Sequence, residues 1–126
     1  MLQFWLGEND RNKVVSAISQ IEARSGICRL RKERRMTPDE ATVALYAIHA
    51  EMRRLIEQPL NPPVLDAASR LVDRHDLRAL DAVQLASAVV ARDLMSAQDM
   101  RFIASDHALL GAAEVEGFAI WDPAMA

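Results

Sequence analysis

From Leu80 to Val90 the chain reads LDAVQLASAVV, an apolar run whose only charge is Asp81. A helix that is apolar nearly all round has no face to give to water, so this one is expected to lie centrally, buried between other elements. At 126 residues the chain is long enough for one domain with such a core and too short for two. A single domain over residues 1–126 is therefore expected.

The other elements arrange themselves around that helix. Lys13–Ser19 (KVVSAIS) is compact and β-branched and predicts a buried strand. Ser19 and Glu22 have the S-x-x-E spacing of a capping box, opening a helix towards Arg35. Thr37-Pro38-Asp39-Glu40 is a stronger start signal, with a cap, a proline at the first helical position and a glutamate at the third. Ala41, Ala44, Leu45, Ile48, Met52, Leu55 and Ile56 then share one face. A break at 58–63 has room for a short edge strand around Leu60, and Pro63 reopens a helix with Val64, Leu65, Ala68, Leu71 and Val72 inward, ending near His75. RFIA at 101–104 predicts a strand, Asp106 caps a brief helix, and Phe118–Trp121 a last strand. Strands alternating with helices, each strand short and apolar, predict an α/β sandwich with a parallel sheet.

Apolar residues at 51% and charged residues at 26% exclude a disordered chain. One cysteine, Cys28, leaves no internal disulfide, which suits a reducing cytoplasm. No apolar run has membrane-spanning length and the N-terminus lacks a basic leader region, so no membrane association is expected. The net charge of −3 is unevenly spread. Residues 1–35 carry eight Lys and Arg against four acids, and residues 36–126 carry seven against fourteen. Such a split permits one face for phosphate and another for a metal or a basic partner; ordinary solvated surface explains it equally well. The same two readings apply to the five cations within Arg29–Arg35, as phosphate contacts or as a solvated helix end.

Three acids stand where an α/β fold places function. Glu22 begins the helix after KVVSAIS, Asp81 begins the buried helix, and Asp106 follows RFIA. Ligands bind at the carboxyl ends of parallel strands, and carboxylates gathered there call for a hard cation such as Mg²⁺ or Mn²⁺. Each has a plainer role open to it. Glu22 can be the capping partner of Ser19, Asp106 a helix N-cap, and Asp81 a charge held by its own helix N-terminus.

Leu77-Arg78-Ala79-Leu80-Asp81-Ala82-Val83-Gln84-Leu85-Ala86 resembles the L-R-x-x-D-A-x-[HQ]-L-A segment of PIN-domain ribonucleases. Phe102-Ile103-Ala104-Ser105-Asp106 with Leu109 resembles their F-[VI]-x-[ST]-D-x-x-L segment, Ala104 departing where a hydroxyl residue is common. Ser16 to Glu22 resembles the turn that carries their glutamate. The resemblance, to toxins of the VapC type, runs in order over the chain. It implies a three-layer sandwich with a parallel sheet flanked by helices. It also implies Glu22, Asp81 and Asp106 as catalytic metal ligands, Ser105 as a supporting hydrogen-bond group, and Mg²⁺ or Mn²⁺ as cofactor. The activity implied is in-line attack of metal-activated water on an RNA phosphodiester, with RNA as substrate, an antitoxin as inhibitor and a homodimer as the assembly.

One departure stands out. The family opens with a strand ending in L-D-[TS]-[SA], whose aspartate is the central ligand, and no such segment is present in this sequence. Met1–Leu6 resembles the helix and loop that follow that strand, and Asp10 in the polar turn after it is badly placed as a substitute. The KVVSAIS and RFIA strands are thus expected each to lack a neighbour, with the first strand supplied from upstream of Met1 or by a partner, or lost in a degenerate copy. A catalytically inactive PIN-like module binding RNA or an antitoxin is the alternative this leaves, and a nuclease acting on DNA is a third.

Overall fold

The computed structural model describes residues 4–6, 13–97 and 99–125. Asp10 and its turn lie outside the described residues. In chain order the elements are β1 (Phe4–Leu6), β2 (Lys13–Ser16), α1 (Ile18–Lys32), α2 (Pro38–Met52), β3 (Ile56–Gln58), α3 (Pro62–Arg74), α4 (Ala79–Met95), β4 (Arg101–Ile103), α5 (His107–Val115) and β5 (Ala119–Trp121), closed by a 3₁₀ turn at Pro123–Met125. The sheet order is β3-β2-β1-β4-β5.

β2 pairs parallel with β3, and β4 parallel with β5, while β1 runs antiparallel to both β2 and β4. Two strands antiparallel to the same neighbour point the same way. β2, β3, β4 and β5 therefore all end at one edge of the sheet, and the edge logic of a parallel α/β fold holds across a middle strand of opposite sense. The expected α/β architecture with parallel strands and flanking helices is what the chain forms. The place expected to stand open between β2 and β4 is occupied by Phe4–Leu6, expected to resemble helix and loop, which is a strand with both neighbours present.

Val14 and Val15 are adjacent on β2 and both about 1% exposed, as are Phe102 and Ile103 on β4 within 2%. Neighbouring strand residues point to opposite faces, so both faces of the sheet are covered. On one face Val14 and Phe102 join a core built on α3, α4 and α5, with Val64, Leu71, Leu85, Leu109 and Phe118. α4 is the central buried helix that its apolar run requires: Ala82, Leu85, Ala86, Ser87, Ala88 and Ala91 are all buried. Its alanines let α3 pack close against it.

Several boundaries differ from expectation for local reasons. The strand stops at Ser16: the Ala17 amide makes a last bond to β3, at the Gln58 carbonyl 2.9 Å away, and α1 starts at once. Ser19 is consequently inside the helix, and the Ser19–Glu22 capping box does not form; the cap is Ala17, with no side-chain hydrogen bond. The Thr37 box does form, in both directions. α2 ends at Met52, and Ile56, expected on the helix, enters β3; the edge strand expected around Leu60 thus forms earlier, at Ile56–Gln58. Leu65 and Val72, expected inward, are exposed, with Ala67 taking the inward position on α3. α3 itself opens at Pro62 under an Asn61 cap.

Away from the carboxyl edge, Glu116 ties three elements together. Its carboxylate accepts from Arg74 Nη1 at 2.9 Å and from His75 Nε2 at 2.8 Å, so that ring nitrogen carries the proton, and its carbonyl accepts from Arg92 at 2.8 Å. Arg92 also lies over the Phe118 ring at 4.2 Å. Burial alone would raise the Glu116 carboxyl, but the hydrogen bonds from His75 and Arg74 outweigh it and hold it below the ordinary range. A depressed carboxyl contributes stability above its unfolded pKa and loses it as pH falls through the folded one. Glu116→Gln is thus expected to cost about 1–3 kcal/mol at neutral pH. The gap from the parent should close in acid, as urea melts at the two pH values will show.

Candidate active site

The carboxyl edge is assembled from α1, α4 and the turn after β4. α4 sets Asp81 in its first turn and Gln84 three residues on, one turn further along the same side. Gln84 is 3% exposed and spends both amide protons on α1: Nε2 donates to Glu22 Oε1 at 2.6 Å and to Ser19 Oγ at 3.2 Å. The orientation of the amide is settled by chemistry, since the reverse would set two oxygens against each other. Gln84 Oε1 is left buried with no partner among the described residues. An acceptor orphaned in this way is ordinarily met by a water or a bound ion's hydration shell.

A second polar bridge lies one turn deeper. Ser87 and Ser16, both fully buried, are joined hydroxyl to hydroxyl at 2.8 Å, and Ser87 Oγ is also 2.8 Å from the Val83 carbonyl. The carbonyl can only accept, so the Ser87 proton goes there and the Ser16 proton lies between the hydroxyls. The two bridges fix the end of β2 and the start of α1 against α4.

Asp81 is 23% exposed, with Arg78 Nε 3.9 Å from its Oδ2. Burial pushes its carboxyl above the ordinary value, and repulsion from Asp106 and then Glu22 adds to it, against the pull of Arg78. The other two acids singled out from the sequence, Asp106 and Glu22, thus both bear on Asp81. Asp106 is also the N-cap of α5, accepting from the Leu109 amide at 2.9 Å. Its plainer role is real, and it leaves one carboxylate oxygen outside the cap. Ser105 is half-buried between β4 and Asp106.

Carboxylate oxygens are the donors that Mg²⁺ or Mn²⁺ takes, and mutual repulsion is what a divalent ion relieves, so the donor chemistry fits. Among the described residues no three such side chains are gathered within reach of one ion. Mg²⁺ commonly engages one or two carboxylates and keeps its waters, so that spacing is compatible with it.

Two contributors escaped the sequence reading. Gln84 stood inside the quoted 77–86 segment, yet in an apolar run it gave no sign of its partners 62 and 65 positions away. Asp122 was not singled out from the sequence. It ends β5 at the carboxyl edge, its side chain 10% exposed, accepting from the Ala124 amide at 2.9 Å and lying 3.5 Å from His107 Nε2.

Fold and edge together define an α/β domain that concentrates carboxylates where its co-directional strands end. The family model described as PIN domain matches residues 2–108, and the chain belongs to that family. PIN domains are nuclease-type domains. No curated protein matches the chain. No helix among the described residues is long and apolar enough to cross a membrane.

Proposed function

We propose that the chain is a divalent-metal-dependent endoribonuclease, using Mg²⁺ or Mn²⁺, that serves as the cytoplasmic toxin of a toxin–antitoxin pair and works as a single-domain homodimer held in check by an antitoxin. The observation that carries the nuclease reading is the state of Asp81, a half-buried carboxylate repelled by Asp106 and Glu22 and offset, among the described residues, by Arg78 alone. In this reading Asp81, Asp106 and Glu22 attract the cation and orient the phosphodiester through it. Gln84 holds the Glu22 carboxylate towards α4, and Ser105 supports Asp106 by hydrogen bonding. When bound, the ion supplies Lewis-acid activation and offsets charge on the phosphate.

Adding Mg²⁺ should stabilise the protein even without RNA. At 100 times its dissociation constant the gain is about 2.7 kcal/mol, several degrees of melting temperature for a domain this size. The test pairs that melt with cleavage of a labelled single-stranded RNA and the same sequence as DNA, each with Mg²⁺, Mn²⁺ or EDTA. A melt indifferent to both metals, with no cleavage of RNA, would sink the proposal.

A second reading, a PIN-like module that binds RNA or an antitoxin without turnover, is favoured by one feature. The strand between the two acid-bearing halves of the sheet is Phe-Trp-Leu, which brings no carboxylate to the site. RNA binding that persists without turnover at any metal concentration is its signature.

A further inference from the structure

α2 is apolar on two opposite faces. Ala41, Ala44, Leu45, Ile48 and Met52 form the inward one, buried or half-buried. Val43, Tyr46, Ala47 and Ala50 form the other, a stripe about 100° wide at 3.6 residues per turn. All four are exposed, Val43 at 69% and Tyr46 at 78%. Asp39 and Arg54 stand on this outer stripe at its two ends, the helical path continuing past Met52 through the Arg53 and Arg54 amides. Neither makes an ion pair among the described residues. The other cations nearby, Arg31, Arg34 and Arg35, line a cavity of about 460 Å³ with Glu40, not Asp39.

The stripe is symmetric about its midpoint. A twofold axis between Tyr46 and Ala47 sets Tyr46 beside the partner's Ala47, Val43 beside the partner's Ala50, and Asp39 beside the partner's Arg54. Each large side chain meets a small one and each charge its opposite, as a self-complementary interface requires. The two alanines let the helix axes approach closely enough for the tyrosine and valine to be covered.

We infer that the outer face of α2 is a self-association surface, its occupant the same helix of a second copy packed antiparallel. The surface gives the homodimer proposed above a location without relying on the chemistry of the acid site. One 15-residue helix from each side is a small interface, so association in about the micromolar range is expected.

Sedimentation of the full chain across micromolar concentrations, without RNA or metal, tests this. Asp39→Arg and Arg54→Asp should each weaken the dimer about tenfold or more by setting like charges together, and the double variant should restore it. Both changes are at exposed positions, and circular dichroism will verify the fold. Restoration supports the assignment. A chain that stays monomeric overturns it, as does a dimer indifferent to both single changes or one the double variant fails to rescue. Because the readout needs no RNA, its failure leaves the nuclease reading untouched.

Discussion

Replacing Asp81 with asparagine is expected to abolish cleavage and, at neutral pH, to leave the fold more stable than the parent. The two effects have one cause. The Asp81 carboxyl is raised by burial first, then by Asp106 and Glu22, so ionising it is harder in the folded chain than in the unfolded one. Such a group costs nothing in acid, where both states are protonated. Its cost grows as pH rises through the ordinary carboxylate value and is complete above the folded one. Asparagine keeps the shape and removes the charge. Arg78 loses its partner, but at 87% exposure and 3.9 Å that pair contributes little. The melting temperature should therefore rise at neutral pH and not in acid, and the Mg²⁺-induced gain should vanish. Loss of cleavage should go beyond the roughly 10–100-fold expected on removing a group that only supports a metal ligand. Full activity in the variant would remove Asp81 from the site; a lower melting temperature at neutral pH would show that its charge is compensated.

Gln84→Leu is the second substitution with a large expected effect, and it acts through Glu22. Leucine fills a similar space without a donor. It frees a carboxylate held at 2.6 Å and leaves the buried Ser19 hydroxyl without the amide it faced. Stability should fall by about 1–3 kcal/mol, reduced because the unpartnered Gln84 oxygen goes too. Activity should fall about 10–100-fold, and the Mg²⁺ concentration giving half-maximal rate should rise. That last readout distinguishes positioning from structure. If the variant loses stability but keeps its metal dependence, Gln84 is a buttress and nothing more.

How much of this was legible in the sequence depended on whether a signal was local. Thr37-Pro38-Asp39-Glu40 announces its helix because every partner in the cap lies within four residues. LDAVQLASAVV announces burial because an apolar circumference admits no other place. Ser19 and Glu22 mislead for the opposite reason. Their spacing satisfies a local motif, while their side chains bond to Gln84 on another helix. β1 and β3 are three residues each, too short to display an alternation, and Ile56 continues the helical spacing of α2 while belonging to a strand. Glu22, Asp81 and Asp106 were each visible; that Asp106 and Glu22 both bear on Asp81 required coordinates to see.

The middle strand also sets a timetable. Phe4 pairs with Ile103, so the sheet joins segments far apart in the sequence. During synthesis β1 and β2 emerge before β4 and can pair at once, yet the other side of β1 lacks its β4 neighbour until that strand leaves the ribosome. Throughout that interval an open strand border is available to any passing nascent chain. Expression at lower temperature or with a chaperone that shields such borders should raise the yield of well-folded protein, and truncation before Arg101 should send it into aggregates.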